Sequence, residues 1–291
     1  MNPVVFSLNS SISFADSIVK RLNGIHGVVQ IHKFPDGETC TRIRSGVKNK
    51  PVIVISSLEH PDEKIMELYF TLQTIRDAGA KSIRLVCPYL PYLRQDKIFK
   101  RGESYSALYF ARLISSIADS VLTVDPHLHR IKSLNEIFSI PVDVAHSVPQ
   151  IAKWIKTHLR DSFLIGPDSE SRQWVESLAG KCNVPFIILG KERSGDSTIA
   201  TKFPDLSAYR HLQPVIVDDI ISTGKSMTVI IEKLIKEKLS APVCIAVHAL
   251  FAEGAYEGLL QAGANSIVTC NTVEHFTNGI KLEQLIAEAT A

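Results

Sequence analysis

The sequence predicts an α/β protein in which mainly parallel sheets are flanked by helices. Two observations lead to this fold class. Short runs of β-branched residues alternate with longer stretches in which apolar residues recur at helical spacing, and the alternation occurs in both halves of the 291-residue chain. Parallel neighbours require a crossover connection, which is usually a helix packed on a face of the sheet. We therefore expect two α/β domains.

The first half gives a clear example of the pattern. Residues 52–55, Val-Ile-Val-Ile, predict a buried strand, and residues 62–78 carry an apolar stripe that predicts an amphipathic helix. The stripe consists of Ile65, Met66, Leu68, Tyr69, Leu72 and Ile75. Gly79 is expected to end this helix, because glycine readily adopts the left-handed conformation found there. Residues 82–87 predict the next strand.

The second half repeats the alternation. We expect strands at residues 162–165, 186–189, 215–217, 243–247 and 266–269, and helices at residues 148–159, 170–180, 227–237 and 255–262. Residues 141–144, Pro-Val-Asp-Val, end the first half and precede the first of these helices. The predicted domains are therefore residues 1–143 and 144–291, with the last helix able to pack on the N-terminal domain.

Composition and charge narrow the range of partners and compartments to be expected. The formal net charge is +2, and no cluster of Lys and Arg interleaved with aromatic residues suggests a nucleic-acid partner. Apolar runs fall short of the roughly 18 residues that a membrane helix needs, and the first residues lack the features of a signal peptide. The five cysteines never form a CxxC pair. We expect a cytoplasmic protein with reduced thiols and neither a nucleic-acid nor a membrane partner.

The most informative segment follows the predicted strand at residues 215–217. Two adjacent carboxylates, Asp218 and Asp219, lead into a hydroxyl-rich turn and then a helix. The turn consists of Ser222, Thr223, Gly224, Lys225 and Ser226. Hydroxyls and backbone N–H groups at a helix N-terminus form a phosphate site, whereas ionised carboxylates accept hydrogen bonds from sugar hydroxyls. The pattern favours a ribose phosphate as the ligand.

Two other interpretations of this segment are weaker. Gly224-Lys225-Ser226 has the form of the end of a nucleotide P-loop, but that motif requires glycine five residues before Gly224, where Asp219 stands. A turn in which Ser222 and Thr223 merely cap a helix would leave the paired carboxylates unexplained. The ribose-phosphate interpretation accounts for the carboxylates and the turn together.

Four segments together resemble one family. The segment at residues 215–227 is similar to the phosphoribosyl diphosphate loop of phosphoribosyltransferases and ribose-phosphate pyrophosphokinases. Three more segments match the ribose-phosphate pyrophosphokinases in order and spacing. They are Phe34-Pro35-Asp36-Gly37-Glu38, residues 88–97 (Pro-Tyr-Leu-Pro-Tyr-Leu-Arg-Gln-Asp-Lys) and Val124-Asp125-Pro126-His127. The chain thus resembles the ribose-phosphate pyrophosphokinases over nearly its whole length. This implies two phosphoribosyltransferase-like domains, and transfer of diphosphate from Mg-ATP to the C1 hydroxyl of ribose 5-phosphate.

The resemblance also implies an ATP site in the N-terminal half. Arg94 and Gln95 would bind the adenine and the phosphates of ATP. Phe34, Asp36 and Glu38 would reach the adenine from a neighbouring subunit, so that the site is completed across an interface of a homo-oligomer, a dimer or a hexamer. Taken alone, Asp36 followed by glycine is equally typical of a simple turn.

Mg²⁺ is the implied cofactor. The resemblance assigns His127 and Asp168 to metal binding, although Asp168 is equally suited to capping the helix that follows it. The family often has glycines after this aspartate, whereas residues 169–171 here are Ser-Glu-Ser. His129 is not assigned a role, because the family commonly has a small residue there.

Two basic residues, Lys191 and Arg193, match a Lys-x-Arg loop of the family. The resemblance implies that they are the catalytic cations that stabilise the transferring β-phosphoryl group.

Two alternative functions stay open. A phosphoribosyltransferase would share the loop at residues 218–226 but would have no reason for the motifs at 94–96 and 125–127. A catalytically silent regulatory subunit of a synthetase complex would retain the fold with altered site residues.

Overall fold

The structure is a computed structural model that describes residues 2–10, 12–194 and 198–291, with the side chains of residues 191–194 and 198–202 outside the description. The chain forms two compact units. Unit 1 contains Met1–Ala145 and Glu283–Ala291, and unit 2 contains His146–Leu282.

The first part of unit 1 alternates strands and helices. Its elements, in chain order, are β1 (Val4–Leu8), α1 (Ile12–Arg21), β2 (Ile25–His26), β3 (Val29–Lys33), β4 (Thr39–Ile43), β5 (Pro51–Ser56), α2 (Pro61–Asp77), β6 (Ser82–Cys87), α3 (Ser106–Ile117), β7 (Ser120–Val124) and β8 (Val142–Ala145). Six of the strands form a parallel sheet in the order β2-β1-β5-β6-β7-β8. The other two, β3 and β4, form an antiparallel hairpin.

The central strands of this sheet are apolar along their length because helices cover the sheet. In β5, every residue after Pro51 is buried. Helix α2 buries Leu68, Leu72 and Ile75 of the predicted stripe, whereas Met66 is 49% exposed. The stripe was therefore drawn too wide, because Met66 lies about 100° around the helix from its neighbour Ile65.

Unit 2 repeats the same plan. Its elements are α4 (Val148–His158), β9 (Ser162–Gly166), α5 (Arg172–Cys182), β10 (Phe186–Ile188), β11 (Gly190–Ser194), β12 (Thr198–Lys202), β13 (Gln213–Ile221), α6 (Lys225–Lys236), β14 (Val243–Ala249), α7 (Ala255–Gln261), β15 (Ser266–Cys270) and β16 (Asn278–Ile280). The parallel sheet has the order β10-β9-β13-β14-β15-β16, and β11 pairs with β12 as an antiparallel hairpin. In both units the hairpin lies between the second and third sheet strands along the chain.

The chain ends with α8 (Glu283–Thr290), which belongs to unit 1. This helix contacts α1, β7 and β8. The Arg84 guanidinium links α8 to the sheet. Its Nη2 donates to the Ala289 carbonyl at 3.0 Å and to Asp143 Oδ2 at 2.7 Å. The C-terminal residues thereby return to the N-terminal sheet.

Each unit has its own buried core of aliphatic and aromatic residues between sheet and helices. The predicted α/β class is confirmed, because each unit is a parallel sheet with helices on its faces. All five cysteines are free thiols, and four of them are buried. Across the described residues, no helix combines the length and apolarity that a membrane crossing requires.

Candidate active site

The two adjacent carboxylates lie inside strand β13, at the carboxyl edge of the unit 2 sheet. Asp218 pairs in register with Ala246 of β14, and the strand continues to Ile221. Asp218 and Asp219 are both partly buried, and the Asp219 N–H donates to Asp218 Oδ1 at 3.0 Å. Ligands of open α/β sheets bind at this edge, so the sheet itself positions both carboxylates for binding.

Three carboxyl groups lie near one another at this edge of the sheet. Burial raises the pKa of the Asp218 carboxyl well above its ordinary value, and the charges of Asp219 and Asp168 raise it further. Three carboxylates therefore influence one another at the ends of β9 and β13. Such a cluster favours ligands that donate hydrogen bonds or carry positive charge.

The turn after β13 is shaped to leave a helix N-terminus open. Gly224 is the N-cap of α6 and has φ +70°, a left-handed conformation that glycine adopts without strain. A Cβ at this position would lie 3.2 Å from Leu259 Cγ. Because the cap is a glycine, no cap side chain lies over the first N–H groups of α6. The first turn also contains no acidic residue, so the helix dipole is available to an anion.

Asp168 closes a turn ahead of α5 and does not cap that helix, whose N-cap residue is Ser171. Its Oδ1 accepts from the N–H groups of Glu170 at 3.1 Å and Ser171 at 3.3 Å. The turn therefore delays α5, which begins at Arg172 and not at residue 170 as predicted. Asp168 also contributes to the raised pKa of Asp218, so its side chain belongs to the acidic edge of the sheet as well.

The loop after β6 carries Arg94 and Gln95. Arg94 is exposed. The Gln95 side-chain amide donates to the carbonyls of Lys97 and Ser104, each at 3.3 Å, and to Glu103 at 3.4 Å. Gln95 thus holds the loop at residues 97–104 in shape, which is a structural role beside the predicted contact with ATP.

The next residue, Asp96, was not predicted to have a role of its own. It is buried, and its two oxygens accept from Arg130 Nη1 at 2.9 Å and from the Arg130 backbone N–H at 3.1 Å. This pair ties the loop after β6 to the loop after β7, which contains His127. The Arg-Gln-Asp motif was the available signal, but nothing in it identified Arg130 as the partner.

His127 lies in the loop after β7 and is in contact with His129. Their Nε2 atoms are hydrogen-bonded, and the ring centroids are 4.0 Å apart. At the start of the loop, Asp125 has φ +33°, and its N–H donates to the Ala145 carbonyl at 3.1 Å. In the described part of the chain, no three His, Cys, Asp or Glu side chains are grouped to hold a metal ion.

The tip of the β3–β4 hairpin is solvent-exposed at Phe34, Asp36 and Glu38. The Glu38 N–H donates to Asp36 Oδ1 at 3.2 Å, and Gly37 has φ +93°, so the segment is a tight turn. The Phe34 ring is 44% exposed and packs edge-on against His32. An exposed aromatic ring at a hairpin tip is suited to contact a partner molecule.

Lys191 and Arg193 belong to strand β11, opposite Thr201 and Ile199 of β12. Their side chains lie outside the described residues. Within unit 2, the structure brings together Asp168, Asp218 and Asp219. Within unit 1, it joins Asp96 to Arg130 and sets His127 against His129.

Taken together, two parallel-sheet units, one with acidic residues leading into an open helix N-terminus, define the class of phosphoribosyltransferase-fold proteins. A family model described as the N-terminal domain of ribose phosphate pyrophosphokinase matches residues 3–117, and a phosphoribosyl transferase domain model matches residues 143–285.

Curated relatives narrow the class to one family. A ribose-phosphate pyrophosphokinase from Sulfolobus acidocaldarius is 34% identical over 257 residues, covering 86% of this chain and 87% of that protein. One from Methanobrevibacter smithii is 31% identical over 96% of this chain and 97% of that protein. The chain belongs to the ribose-phosphate pyrophosphokinase family, whose members are ATP-dependent enzymes. The phosphoribosylpyrophosphate synthetase of Mycobacterium smegmatis shares the fold, with a TM-score of 0.86, 24% identity and coverage of 99% and 97%.

Proposed function

We propose that this enzyme transfers the β,γ-diphosphate of ATP to the C1 hydroxyl of ribose 5-phosphate, giving phosphoribosyl diphosphate and AMP. One observation carries the proposal beyond family membership. The acidic pair Asp218 and Asp219 leads directly to the open N-terminus of α6 at Gly224. A ligand with hydroxyl donors at one end and a phosphate at the other matches this order of groups.

The sugar phosphate occupies this edge of unit 2 in our proposal. Its 5-phosphate accepts hydrogen bonds from the N–H groups and hydroxyls of Ser222, Thr223, Gly224, Lys225 and Ser226. The ring hydroxyls donate to Asp218 and Asp219, and each charge-assisted bond contributes more than a neutral one. Holding both ends of the sugar orients its C1 hydroxyl for attack.

The nucleotide binds at the carboxyl edge of the unit 1 sheet. Arg94, which is exposed, contacts the phosphates of ATP, and Gln95 contacts the nucleotide from a loop that it also braces. Phe34, Asp36 and Glu38 come from the exposed hairpin tip of a neighbouring subunit. The enzyme is therefore a homo-oligomer in this proposal, either a dimer or a hexamer.

The donor groups fit Mg²⁺. The charges of Asp219 and Asp168 contribute to the raised pKa of Asp218, and a divalent cation would relieve that repulsion. Mg²⁺ keeps several waters and binds through one or two protein groups plus substrate phosphates, so a complete protein cage is not required. His127 is the proposed protein ligand of the Mg²⁺ of Mg-ATP, and Asp168 is the proposed ligand of a second Mg²⁺. When bound, Mg²⁺ neutralises charge on the phosphate oxygens.

The transfer step forms a bond between the C1 oxygen and the β-phosphorus and breaks the bond from that phosphorus to the AMP oxygen. Lys191 and Arg193 stabilise the charge on the transferring group, which is the main requirement of phosphoryl transfer. The hydroxyl proton passes to solvent, and we assign no general base. The free thiols suit a reducing compartment such as the cytoplasm.

The reaction is tested by incubating the purified protein with ATP, Mg²⁺ and ribose 5-phosphate. We expect AMP and phosphoribosyl diphosphate in equal amounts. A phosphoribosyltransferase would instead consume phosphoribosyl diphosphate when offered a nucleobase, and a silent subunit would release no AMP. Either of these results would contradict the proposal, and a panel of pentose phosphates defines the preferred acceptor.

A further inference from the structure

Two loops at the carboxyl edge of the unit 1 sheet hold one arginine side chain between them. Arg130 lies in the loop after β7, and its Nη1 donates at 2.9 Å to Asp96 Oδ1 in the loop after β6. The Arg130 backbone N–H donates to the other oxygen of the same carboxylate at 3.1 Å. The Asp96 side chain is 2% exposed, whereas that of Arg130 is 51% exposed. One end of the guanidinium is therefore bound to a buried carboxylate while half of the side chain stays accessible.

An aromatic ring supports the same guanidinium. Arg130 Cζ lies 5.2 Å from the centroid of the Phe99 ring, and Lys97 Nζ lies 5.0 Å from it. Both distances are within the range of a cation–π contact. The Phe99 N–H donates to Glu103 Oε2 at 3.1 Å, so the ring belongs to a closed turn. Because a carboxylate and a ring already fix its position, the guanidinium loses little side-chain freedom when it binds a ligand.

The guanidinium also keeps donors for a second acceptor. An arginine side chain has five N–H donors in a planar fork. Within the part of the chain that the structure describes, the hydrogen bond of the Arg130 side chain is the one from Nη1 to Asp96. Nη2 and Nε are thus available to a ligand, and a guanidinium can bind phosphate oxygens with two such donors at once.

The charge of the two loops favours an anionic ligand. Residues 94–104 and 125–132 contain six basic residues against three acidic ones, and Asp96, one of the three, is already paired with Arg130. Ligands of open α/β sheets bind at the carboxyl ends of the strands, and an excess of one sign of charge attracts ligands of the other. The basic residues are Arg94, Lys97, Lys100, Arg101, Arg130 and Lys132.

We propose that Arg130 is a nucleotide-binding residue, and that the guanidinium edge opposite Asp96 donates to the phosphate chain of ATP. This deepens the proposed function and rests on its placement of ATP at this edge of unit 1. Arg94 and Arg130 then supply guanidinium donors from neighbouring loops, after β6 and after β7. Asp96 and Phe99 hold the second guanidinium in place.

The test is binding of ATP, and separately of adenosine, to the full-length protein without Mg²⁺, measured by titration calorimetry. Metal is left out so that a change at the neighbouring His127 does not alter the result. A hydrogen bond to a charged group contributes about tenfold to 100-fold in affinity. We expect Arg130→Ala to bind ATP about 10–100-fold more weakly, and adenosine, which has no phosphate, with unchanged affinity.

The matched control is Lys132→Ala, which removes an exposed cation from the same loop. Salt screens a charge that makes no direct contact with the ligand, so ATP affinity should stay within about twofold of the wild type. An equal loss in Lys132→Ala and Arg130→Ala would show a general effect of charge and would overturn the proposed contact.

A second variant separates the contact from the stability of the fold. Arg130→Ala leaves the Asp96 carboxylate buried without its partner, which is destabilising. In Arg130→Lys the ammonium can remain paired with Asp96, but lysine is a point charge without the planar fork. We expect Arg130→Lys to unfold near the wild-type temperature in a thermal melt and still to lose ATP affinity. If Arg130→Ala does not fold, this variant decides the question.

The outcomes separate this inference from the function on which it rests. Wild-type ATP affinity in either folded Arg130 variant would overturn the contact. Equal losses for ATP and adenosine would mean that Arg130 only shapes the loop, which would overturn it as well. In both cases AMP release by the wild-type enzyme would leave the proposed function standing. A wild-type protein that releases no AMP would instead refute the proposed function itself.

Discussion

The connection from β13 to α6 and the connection from β5 to α2 occupy the same place in their sheets. They differ in the charges at the first turn of the helix that follows. Each follows the third strand of its six-stranded order. In unit 2, Gly224 (φ +70°) precedes a helix without acidic residues in its first turn. In unit 1, His60 (φ +51°) takes a similar left-handed conformation, but Asp62 and Glu63 occupy the first turn of α2.

In unit 1, charged side chains of the connection itself complement the helix N-terminus. Lys64 donates to the carboxylate of Glu59 and to the Ser57 carbonyl, and Asp62 and Glu63 complement the dipole of α2. A phosphate placed here would meet three carboxylates. The fold thus provides a helix N-terminus at the same position in both units. The local sequence leaves it without acidic residues in unit 2 and places carboxylates beside it in unit 1.

The hairpins differ in the same way. Both follow the second sheet strand of their unit, but the β3–β4 tip presents Phe34, Asp36 and Glu38, whereas β11 contains Lys191 and Arg193. In our proposal, the first hairpin reaches a neighbouring subunit's nucleotide and the second supplies catalytic cations. Substitutions in equivalent positions of the two units can break or sharpen this division.

The largest expected effect comes from Lys191→Ala combined with Arg193→Ala. Well-placed cations contribute about 10³–10⁵ in rate to phosphoryl transfer, so we expect turnover to fall at least about 100-fold while ATP affinity stays nearly unchanged. The matched control is Lys33→Ala with Arg42→Ala in the other hairpin, which should retain turnover. Steady-state kinetics and ATP titration measure both quantities. Near-normal turnover in the first double variant would remove β11 from the catalytic account.

A smaller effect is expected for Asp219→Ala. Losing a charge-assisted hydrogen bond costs about 1.5–3 kcal/mol, so the KM for ribose 5-phosphate should rise about 10–100-fold, with a much smaller change for ATP. The matched control is Glu63→Ala, which removes a carboxylate from the corresponding region of unit 1 and should leave both values unchanged. A defect selective for ATP would mean that the two substrates have been assigned to the wrong units.

Replacing the glycine of the open connection tests why it is a glycine. Gly224→Ala forces an L-residue into the left-handed region, at a cost of about 1–2 kcal/mol, and places Cβ 3.2 Å from Leu259 Cγ. We expect lower stability to urea and weaker binding of ribose 5-phosphate. His60→Gly in unit 1 is the mirror substitution and should keep substrate affinity, with a stability change under about 1 kcal/mol. Equal effects in both units would contradict the proposed difference between the connections.

The smallest effect concerns pH and Asp218→Asn. Because the pKa of Asp218 is raised in the folded protein, the native state holds this proton more tightly than the unfolded state. Stability is therefore lost as pH rises from the ordinary value of 3.8 through the raised value. The amide cannot ionise, so the variant should be more stable than the wild type at pH 8, on the order of 1 kcal/mol.

This gain in stability should disappear near pH 3, where Asp218 is protonated in both the folded and the unfolded state. The Asp218→Asn variant should also bind ribose 5-phosphate more weakly than the wild type. Urea unfolding at both pH values measures the difference in the free energy of unfolding. A variant that is less stable than the wild type at pH 8 would contradict the conclusion that the Asp218 carboxylate is held at a cost for function.

Much of the fold was predictable because buried parallel strands are apolar along their length. The strand at residues 82–87 was predicted with its exact ends, and the helix at 62–78 with an error of one residue at each end. Strand β13 was predicted too short, because Asp218 and Asp219 are not typical strand residues, although the strand continues through them to Ile221. The β3–β4 hairpin was missed because its largely exposed residues give no apolar pattern.

Candidate site residues could be named from the sequence where the chemistry is carried by contiguous residues, as in the turn at residues 222–226, whose binding of a phosphate stays a prediction. A contact was not predictable where the partner is distant in sequence. Asp96 and Arg130 are 34 residues apart, and nothing in the sequence joins them. For Asp168 the sequence offered metal binding or helix capping; the side chain instead closes a turn ahead of α5, and metal binding stays a prediction.

The central claim is that a single connection, from β13 to α6, binds the 5-phosphate of the sugar. A crystal structure of the protein with ribose 5-phosphate, Mg²⁺ and an unreactive ATP analogue tests it most directly. We predict the 5-phosphate oxygens within hydrogen-bond distance of the N–H groups of residues 224–226, with the ring hydroxyls on Asp218 and Asp219. A sugar phosphate bound at the N-terminus of α2, or away from both connections, would contradict the account.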